Sequence, residues 1–174
     1  NHAGLGTSGA GVTIIKRTSV FNAYTSAADA GCLDVQGGHV RVESSLLDTC
    51  KAVLTPNGGY GKGGCAHVQA GLLTVRDSTF ARCEGVQGVA IMVYSTAAAE
   101  LYNASIVGVK GLQGHRDDAI YLEPGASFDA VGLTITPACS TSNPLFYTDS
   151  NAQTVMTGVR DLTVIEPTCA AGRR

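Results

Sequence analysis

The stretch Gly63–Gly85, GGCAHVQAGLLTVRDSTFARCEG, repeats an earlier stretch of the same chain. The earlier stretch, Ala30–Ala52, reads AGCLDVQGGHVRVESSLLDTCKA. Both contain, in the same order, Gly-Cys, Val-Gln, a glycine, a short apolar segment and a closing cysteine. Two copies that agree even in their cysteines indicate a repeat architecture, in which equivalent residues have equivalent surroundings.

The repeat continues on both sides of these two copies. One apolar residue in the last segment of each copy serves as an anchor, and the anchors are Val20, Leu47, Phe80, Ile106, Leu133 and Leu162. A second apolar residue stands five positions before the first five anchors, at Ile15, Val42, Val75, Leu101 and Phe128, and Val155 takes this place in the sixth copy. The period is about 28 residues, which is typical of a solenoid.

Each copy contains three short segments in which apolar and polar residues alternate, and this alternation predicts strands. Ala97–Glu100 favours helix by propensity, but it falls where the other copies have a turn, so we predict no helix there. Three strands per period predict one all-β domain over residues 1–174, a parallel β-helix of about six coils. The approximate coils are 10–30, 31–63, 64–87, 88–116, 117–142 and 143–169.

The composition excludes several classes of function. Charged residues make up 15% of the 174 residues and the formal net charge is -2, which argues against a nucleic-acid-binding protein. No apolar run approaches the ~20 residues that cross a bilayer. The 22 glycines favour many tight turns over long helices.

The six cysteines fall at repeated positions, which predicts disulfides. Two arrangements remain open for the first four: coil to coil, as Cys32–Cys65 and Cys50–Cys83, or within a coil, as Cys32–Cys50 and Cys65–Cys83. We favour the second, because directly opposed residues on parallel strands make strained bridges. The remaining pair is Cys139–Cys169. No close pair of cysteines suggests a metal site, so we predict none.

The motif Gly63-Gly64-Cys65-Ala66 followed by Phe80-Ala81-Arg82-Cys83 resembles the repeat of polymorphic outer-membrane proteins. That repeat pairs Gly-Gly-Ala-(Ile/Leu/Val) with Phe-x-x-Asn, and the two cysteines here depart from it. The resemblance implies a right-handed, pectate-lyase-like coil at a cell surface. Since that fold includes lyases, epimerases, tailspikes, adhesins and wall proteins, the resemblance implies no particular activity.

The outward positions of the first strand in each coil are the place where catalytic β-helices carry their reactive groups. Asp34 and His67 are predicted to be neighbours there, either as an acid/base pair or as a solvated polar pair. The next outward residues, Met92, Tyr121 and Phe146, form an apolar stripe. An interface with another protein, a covering loop of the same chain and an aromatic platform for sugars all remain open for it.

A second polar group is the stretch GHRDDAIYLE, which brings His115, Arg116, Asp117, Asp118, Tyr121 and Glu123 together. Paired carboxylates that act on a sugar need a fixed separation, which two adjacent aspartates on one loop do not readily provide. We interpret this stretch as a loop whose charges neutralise each other. The sequence therefore predicts no catalytic residue and no cofactor.

The sequon Asn103-Ala104-Ser105 predicts an N-linked glycan, and together with the disulfides it predicts a secreted or cell-surface protein. We expect a mature product or an excised fragment whose coil ends lack bulky caps. The predicted function is a structural glycoprotein that assembles with itself or with other extracellular components, for example into a filament. The alternative is a carbohydrate-active module that binds or cleaves an acidic polysaccharide.

Overall fold

The computed structural model describes residues 5–25, 29–53, 61–112, 118–138, 146–148 and 155–167. The described residues form strands and no helix. In chain order the strands are β1 (Leu5–Thr7), β2 (Val12–Lys16), β3 (Ser19–Phe21), β4 (Tyr24–Thr25), β5 (Leu33–Val35), β6 (His39–Glu43), β7 (Leu46–Asp48), β8 (Lys51–Ala52), β9 (Ala66–Val68), β10 (Gly71–Arg76), β11 (Thr79–Ala81), β12 (Glu84–Gly85), β13 (Ile91–Val93), β14 (Ala97–Tyr102), β15 (Ser105–Gly111), β16 (Ile120–Leu122), β17 (Ser127–Val131), β18 (Thr134–Pro137), β19 (Phe146–Thr148), β20 (Val155–Arg160) and β21 (Thr163–Val164).

The strands stack into parallel sheets, each of which takes one strand from every coil. The first sheet has the order β1-β5-β9-β13-β16-β19 and the second the order β2-β6-β10-β14-β17-β20. The third runs β3-β7-β11-β15-β18-β21, and all of these pairings are parallel. The described strands therefore occupy six levels, and the predicted parallel β-helix is confirmed.

The first four coils have one more strand segment than the three that we predicted. A short fourth strand follows the third sheet at β4, β8 and β12, and the second half of β15 continues this ladder. β14 spans Ala97–Tyr102, so Ala97–Glu100 is not helical, but it is strand and not the turn that the repeat predicted there.

The core consists of inward-facing columns with one residue from each level. The column that contains Val20, Leu47, Phe80 and Ile106 was predicted correctly. It continues through Ile135 and Val164 rather than through Leu133 and Leu162. In the second sheet, Ala130 and Val159 continue the predicted column in place of Phe128 and Val155. Three of these four positions are displaced by two residues, and because inward positions recur every two residues, the pattern alone does not exclude such a shift. The fourth, from Val155 to Val159, is displaced by four, where the pairing of β17 with β20 is irregular.

The bends between sheets are made by single residues in the left-handed region. Between the second and third sheets these residues are Arg17, Ser44, Asp77, Asn103, Gly132 and Asp161, with φ between 48° and 69°. Before the fourth strand they are Asn22, Thr49, Arg82 and Gly108. A non-glycine residue in this region costs roughly 1–2 kcal/mol, so the stacked strands on either side must stabilise the bends.

The repeated Gly-Cys dipeptide marks the corner that leads into the first sheet. A Cβ on Gly64 would overlap the carbonyl oxygen of Val89, and a Cβ on Gly31 would overlap that of Gly64. Glycine is therefore required there, because successive coils approach each other backbone to backbone.

Two disulfides close individual coils at this corner. Cys32 bonds to Cys50 and Cys65 to Cys83, with Cα–Cα distances of 5.4 and 5.3 Å. The favoured within-coil arrangement is thereby confirmed and the coil-to-coil alternative is wrong. Cys139 and Cys169 lie outside the described residues, and the part of the chain that the structure describes contains no free cysteine.

An ion pair ties two coils together on the outside of the third sheet. The guanidinium of Arg82 contacts both carboxylate oxygens of Asp48, with Nε 2.7 Å from Oδ1. The hydrogen bonds from Arg82 hold the pKa of Asp48 below its usual value, although burial of the carboxylate acts in the opposite direction.

On the level after the second disulfide, the two cysteine positions are occupied by apolar residues. Ala90 follows Cys65 in the stack, Val109 follows Cys83, and both residues are fully buried. The double substitution Ala90→Cys with Val109→Cys should form a third bridge within its coil. We expect it to raise the free energy of unfolding by about 2–4 kcal/mol, chiefly because it restricts the unfolded chain. Thiol titration and calorimetric unfolding measure both effects.

Each single cysteine variant is the control, since it should retain one free thiol and gain no stability. Two free thiols in the double variant under oxidising conditions would contradict the stacking of these columns.

Candidate functional sites on the outer surface

The outer face of the first sheet carries two columns of side chains. The first contains Asp34, His67, Met92 and Tyr121, in direct register from coil to coil. The second column follows at the ends of the same strands and contains Gln36, Gln69, Tyr94 and Glu123. The sequence predicted the first column down to Tyr121 and did not predict the second.

His67 is held between two carboxylates. Its Nδ1 lies 2.9 Å from Oδ1 of Asp34, and Gln36 donates from Nε2 to the other oxygen of that carboxylate at 2.7 Å. Its Nε2 lies 3.8 Å from Oδ2 of Asp29 and makes no hydrogen bond. The predicted Asp34–His67 contact is present, but the imidazole is fully buried rather than solvated.

Lys62 and Tyr94 extend this group to the next coil. The ammonium of Lys62 donates to the phenol oxygen of Tyr94 at 2.8 Å and lies 4.8 Å from the centre of its ring. The ring of Tyr94 meets that of His67 edge-on, with the centroids 5.1 Å apart. The backbone amide of Lys62 donates to Oδ1 of Asp29 at 3.1 Å, which ties the corner segments of two coils together.

The charge of Lys62 is stabilised in this position. Partial burial lowers the pKa of its ammonium group. The hydrogen bond to Tyr94, together with the charges of Asp29 and Glu123, outweighs burial, so the net pKa is raised. Carboxylates, a cation and a phenol from successive coils thus form one polar group, which we call the His67 cluster: Asp29, Asp34, Lys62, His67 and Tyr94.

The His67 cluster has the residue types of acid/base chemistry, with the imidazole at its centre. A general base must reach the proton that it removes. Because the imidazole is enclosed, the accessible reactive groups in this form are the carboxylates of Asp29 and Asp34, whose side chains are 29% and 22% exposed. The hydrogen bonds among these side chains also fasten the corner segment at Lys62 to the outer face of the sheet.

The apolar stripe predicted from the sequence is not exposed. Met92 is fully buried and Tyr121 is 7% exposed. Phe146 pairs in register with Ile120, so it belongs to the inward column, and its ring lies 5.9 Å from that of Phe128 in the core. Tyr147 pairs in register with Tyr121, so the predicted position is wrong by one residue, because two neighbouring aromatic residues made the alternation ambiguous.

Only part of the predicted loop GHRDDAIYLE lies within the described residues. His115, Arg116 and Asp117 lie outside the described residues. Asp118 is fully buried, and its Oδ2 accepts a hydrogen bond from the amide of Gly88 at 2.9 Å. Asp118 therefore bonds to the backbone of the preceding coil at the corner, rather than lying on a surface loop.

Asn103 occupies the left-handed bend between the second and third sheets, directly above Asp77, and it is exposed. Its Nδ2 donates to Oδ1 of Asp77 at 3.2 Å.

A surface that the sequence analysis missed lies on the first level. Four outward side chains there are apolar and between 48% and 63% exposed: Val12, Ile14, Phe21 and Tyr24. The residues beneath them in the same columns are His39, Arg41, Asp48 and Lys51. We call these four apolar residues the first-coil surface. The sequence does indicate this surface. VTIIK at Val12–Lys16 aligns with HVRVE at His39–Glu43 in the repeat, but it lacks the alternation of polar and apolar residues seen in HVRVE.

No group of three or more histidine, cysteine or acidic side chains capable of holding a metal ion occurs among the residues that the structure describes. No helix in the described ranges is both long and apolar enough to span a membrane. Comparison with protein-family models, curated proteins and solved structures found no match to this chain.

Proposed function

We propose that this chain is a structural module of a secreted or cell-surface glycoprotein that associates with a second copy through the first-coil surface. The observation that supports this most directly is that four outward residues of the first level are apolar and exposed, whereas their partners on the second level are all polar. Single exposed apolar residues are common on proteins and need no explanation. These four follow one another around the first coil, on β2, β3 and β4, and a concentration of exposed apolar residues is typical of interaction sites.

The residues of β2 show what kind of contact the surface fits. Val12, Ile14 and Ile15 make this strand apolar on both faces, which is typical of strands covered on both sides. In the described stacking order, β1, β2 and β3 also each have a neighbouring strand on one side only. An unpaired strand edge is a template for another strand. A second coil of the same kind would pair with these edges and shield the apolar side chains.

The last described level offers the complementary surface. Leu162, Val164 and Ile165 are exposed there. Contact between the first level of one copy and the last level of another joins two different surfaces, and such contacts grow into filaments unless the geometry closes a ring. This extends the proposal to a head-to-tail assembly.

The extracellular location rests on chemical and sequence features. The two disulfides fit a protein that folds in an oxidising environment. The sequon at Asn103 and the resemblance of the Gly-Gly-Cys-Ala and Phe-x-x-Cys motifs to surface β-helix repeats point the same way.

The test replaces first-coil residues with the residues that the next coil carries in the same columns. The double variant Ile14→Arg with Phe21→Asp copies Arg41 and Asp48, so the strands retain side chains that this fold already accepts. We expect the wild-type chain to associate in a concentration-dependent way and the variant to lose at least about tenfold in affinity, since burying a charge costs more than 1.4 kcal/mol. Sedimentation velocity measures this.

Val107→Thr is the matched control, because Val107 is an exposed apolar residue in the Phe21 column at the fourth level and Thr136 follows it there. This variant should associate like the wild type. A wild-type chain that stays monomeric at all attainable concentrations, or a double variant that associates unchanged, would refute the proposal.

The His67 cluster favours a second candidate, a carbohydrate-active module. Glycoside cleavage uses two carboxylates, and Asp29 and Asp34 are the partly exposed pair around His67. If this candidate is correct, the chain should depolymerise or bind an acidic polysaccharide, and Asp34→Asn should reduce turnover at least about 100-fold. The control is Asp161→Asn, which removes an exposed carboxylate from a bend remote from this sheet. Absence of binding and turnover on a panel of uronate polymers would rule the candidate out.

A further inference from the structure

We propose that Asn103 carries an N-linked glycan that projects from the bend between the second and third sheets. Asn103-Ala104-Ser105 is the only Asn-x-Ser/Thr sequence in the 174 residues. The inference rests on the extracellular location in the proposed function and gives the site of the glycan of the proposed glycoprotein, but it does not depend on self-association.

The folded chain must leave the modified nitrogen accessible, and the bend does so. Asn103 is exposed and has φ of 50°, in the left-handed region that asparagine tolerates better than most residues. Its side chain lies along the outside of the bend, where Nδ2 reaches Oδ1 of Asp77 in the preceding coil. A glycosylated amide keeps one N–H, so the donor to Asp77 is retained.

The next coil also leaves room beside this side chain. Gly132 occupies the same bend position one level further, and a Cβ there would come within 2.7 Å of Oδ1 of Asn103. Because position 132 has no side chain, the carboxamide of Asn103 fits beside it without this crowding. The glycan would therefore lie between the carboxylate of Asp77 in the preceding coil and the backbone of Gly132 in the next.

Asn22 provides a comparison within the same molecule. It is also exposed, and it occupies the other left-handed bend with φ of 55°. The residue two positions later is Tyr24, so the hydroxyl of a sequon is missing. We expect Asn22 to remain unmodified. This result would show that exposure of the asparagine is not sufficient and that the serine or threonine of the sequon is required.

The chemical step requires a donor of the class of polyisoprenyl-pyrophosphate-linked oligosaccharides. Nδ2 of Asn103 forms a bond to the anomeric carbon of the sugar, and the bond from that carbon to the pyrophosphate oxygen breaks. The amide loses one proton, and the lipid pyrophosphate leaves with the bonding electron pair. A transferase of the secretory pathway, and not this chain, catalyses the transfer.

Two isosteric variants of Ser105 give the sharpest test. Ser105→Thr preserves the sequon, whereas Ser105→Val has the same shape without the hydroxyl, and both suit a residue in β15. After secretion from a glycosylating eukaryotic cell line, intact mass and peptide mapping should show glycan on Asn103 in the wild type and in Ser105→Thr. The glycan should be absent from Ser105→Val and from Asn103→Gln.

Treatment with a glycan-releasing amidase should convert Asn103 of the wild type to aspartate and leave Asn22 unchanged. Secreted wild-type chain without glycan on Asn103 would overturn the proposal, as would a glycosylated Ser105→Val variant. Sedimentation of the deglycosylated chain then reports on self-association separately, so failure of one proposal does not imply failure of the other.

Discussion

The constraint on which this structure depends is the vertical register of its coils. The ladder hydrogen bonds between the described strands of the three main sheets join one coil to the next, so each paired residue is positioned by its equivalents in the neighbouring coils. Phe80, for example, is held in its column because Leu47 and Ile106 hold the same place in neighbouring coils. A side chain that suits one level therefore suits its neighbours, and deviations from this rule are informative.

The disulfides, the bends and the polar groups all follow from that register. The cysteines recur because the same corner recurs, and each bridge closes its own coil without disturbing the stack. Asn103 reaches Asp77 because single left-handed residues lie above one another. The His67 cluster exists because residues from separate repeats, such as Asp34 and His67, are brought into one face by stacking alone.

The sequence predicted those features that depend on the repeat and failed where neighbouring positions are chemically alike. Equal spacing predicted the Asp34–His67 contact and the corner that holds the cysteines, while the choice of within-coil bridges needed the further argument about strain. Phe146 and Tyr147 are both aromatic, so alternation did not decide which of them faces the core. The hydrogen bond from Lys62 to Tyr94 joins a corner to the end of a strand in the next coil. It depends on the length of the lysine side chain, which the spacing of residues in the repeat does not reveal.

The register itself can be measured along the outside of one bend column. Arg17, Ser44 and Asp161 occupy the first, second and sixth levels of that column, and successive levels are ~4.8 Å apart. Nitroxide labels at Arg17 and Asp161 should give a narrow distance distribution, because five steps place the backbone positions about 24 Å apart. Labels at Ser44 and Asp161 should be about 5 Å closer together. Broad distributions, or equal distances for the two pairs, would show that equivalent residues do not stack and would contradict the account.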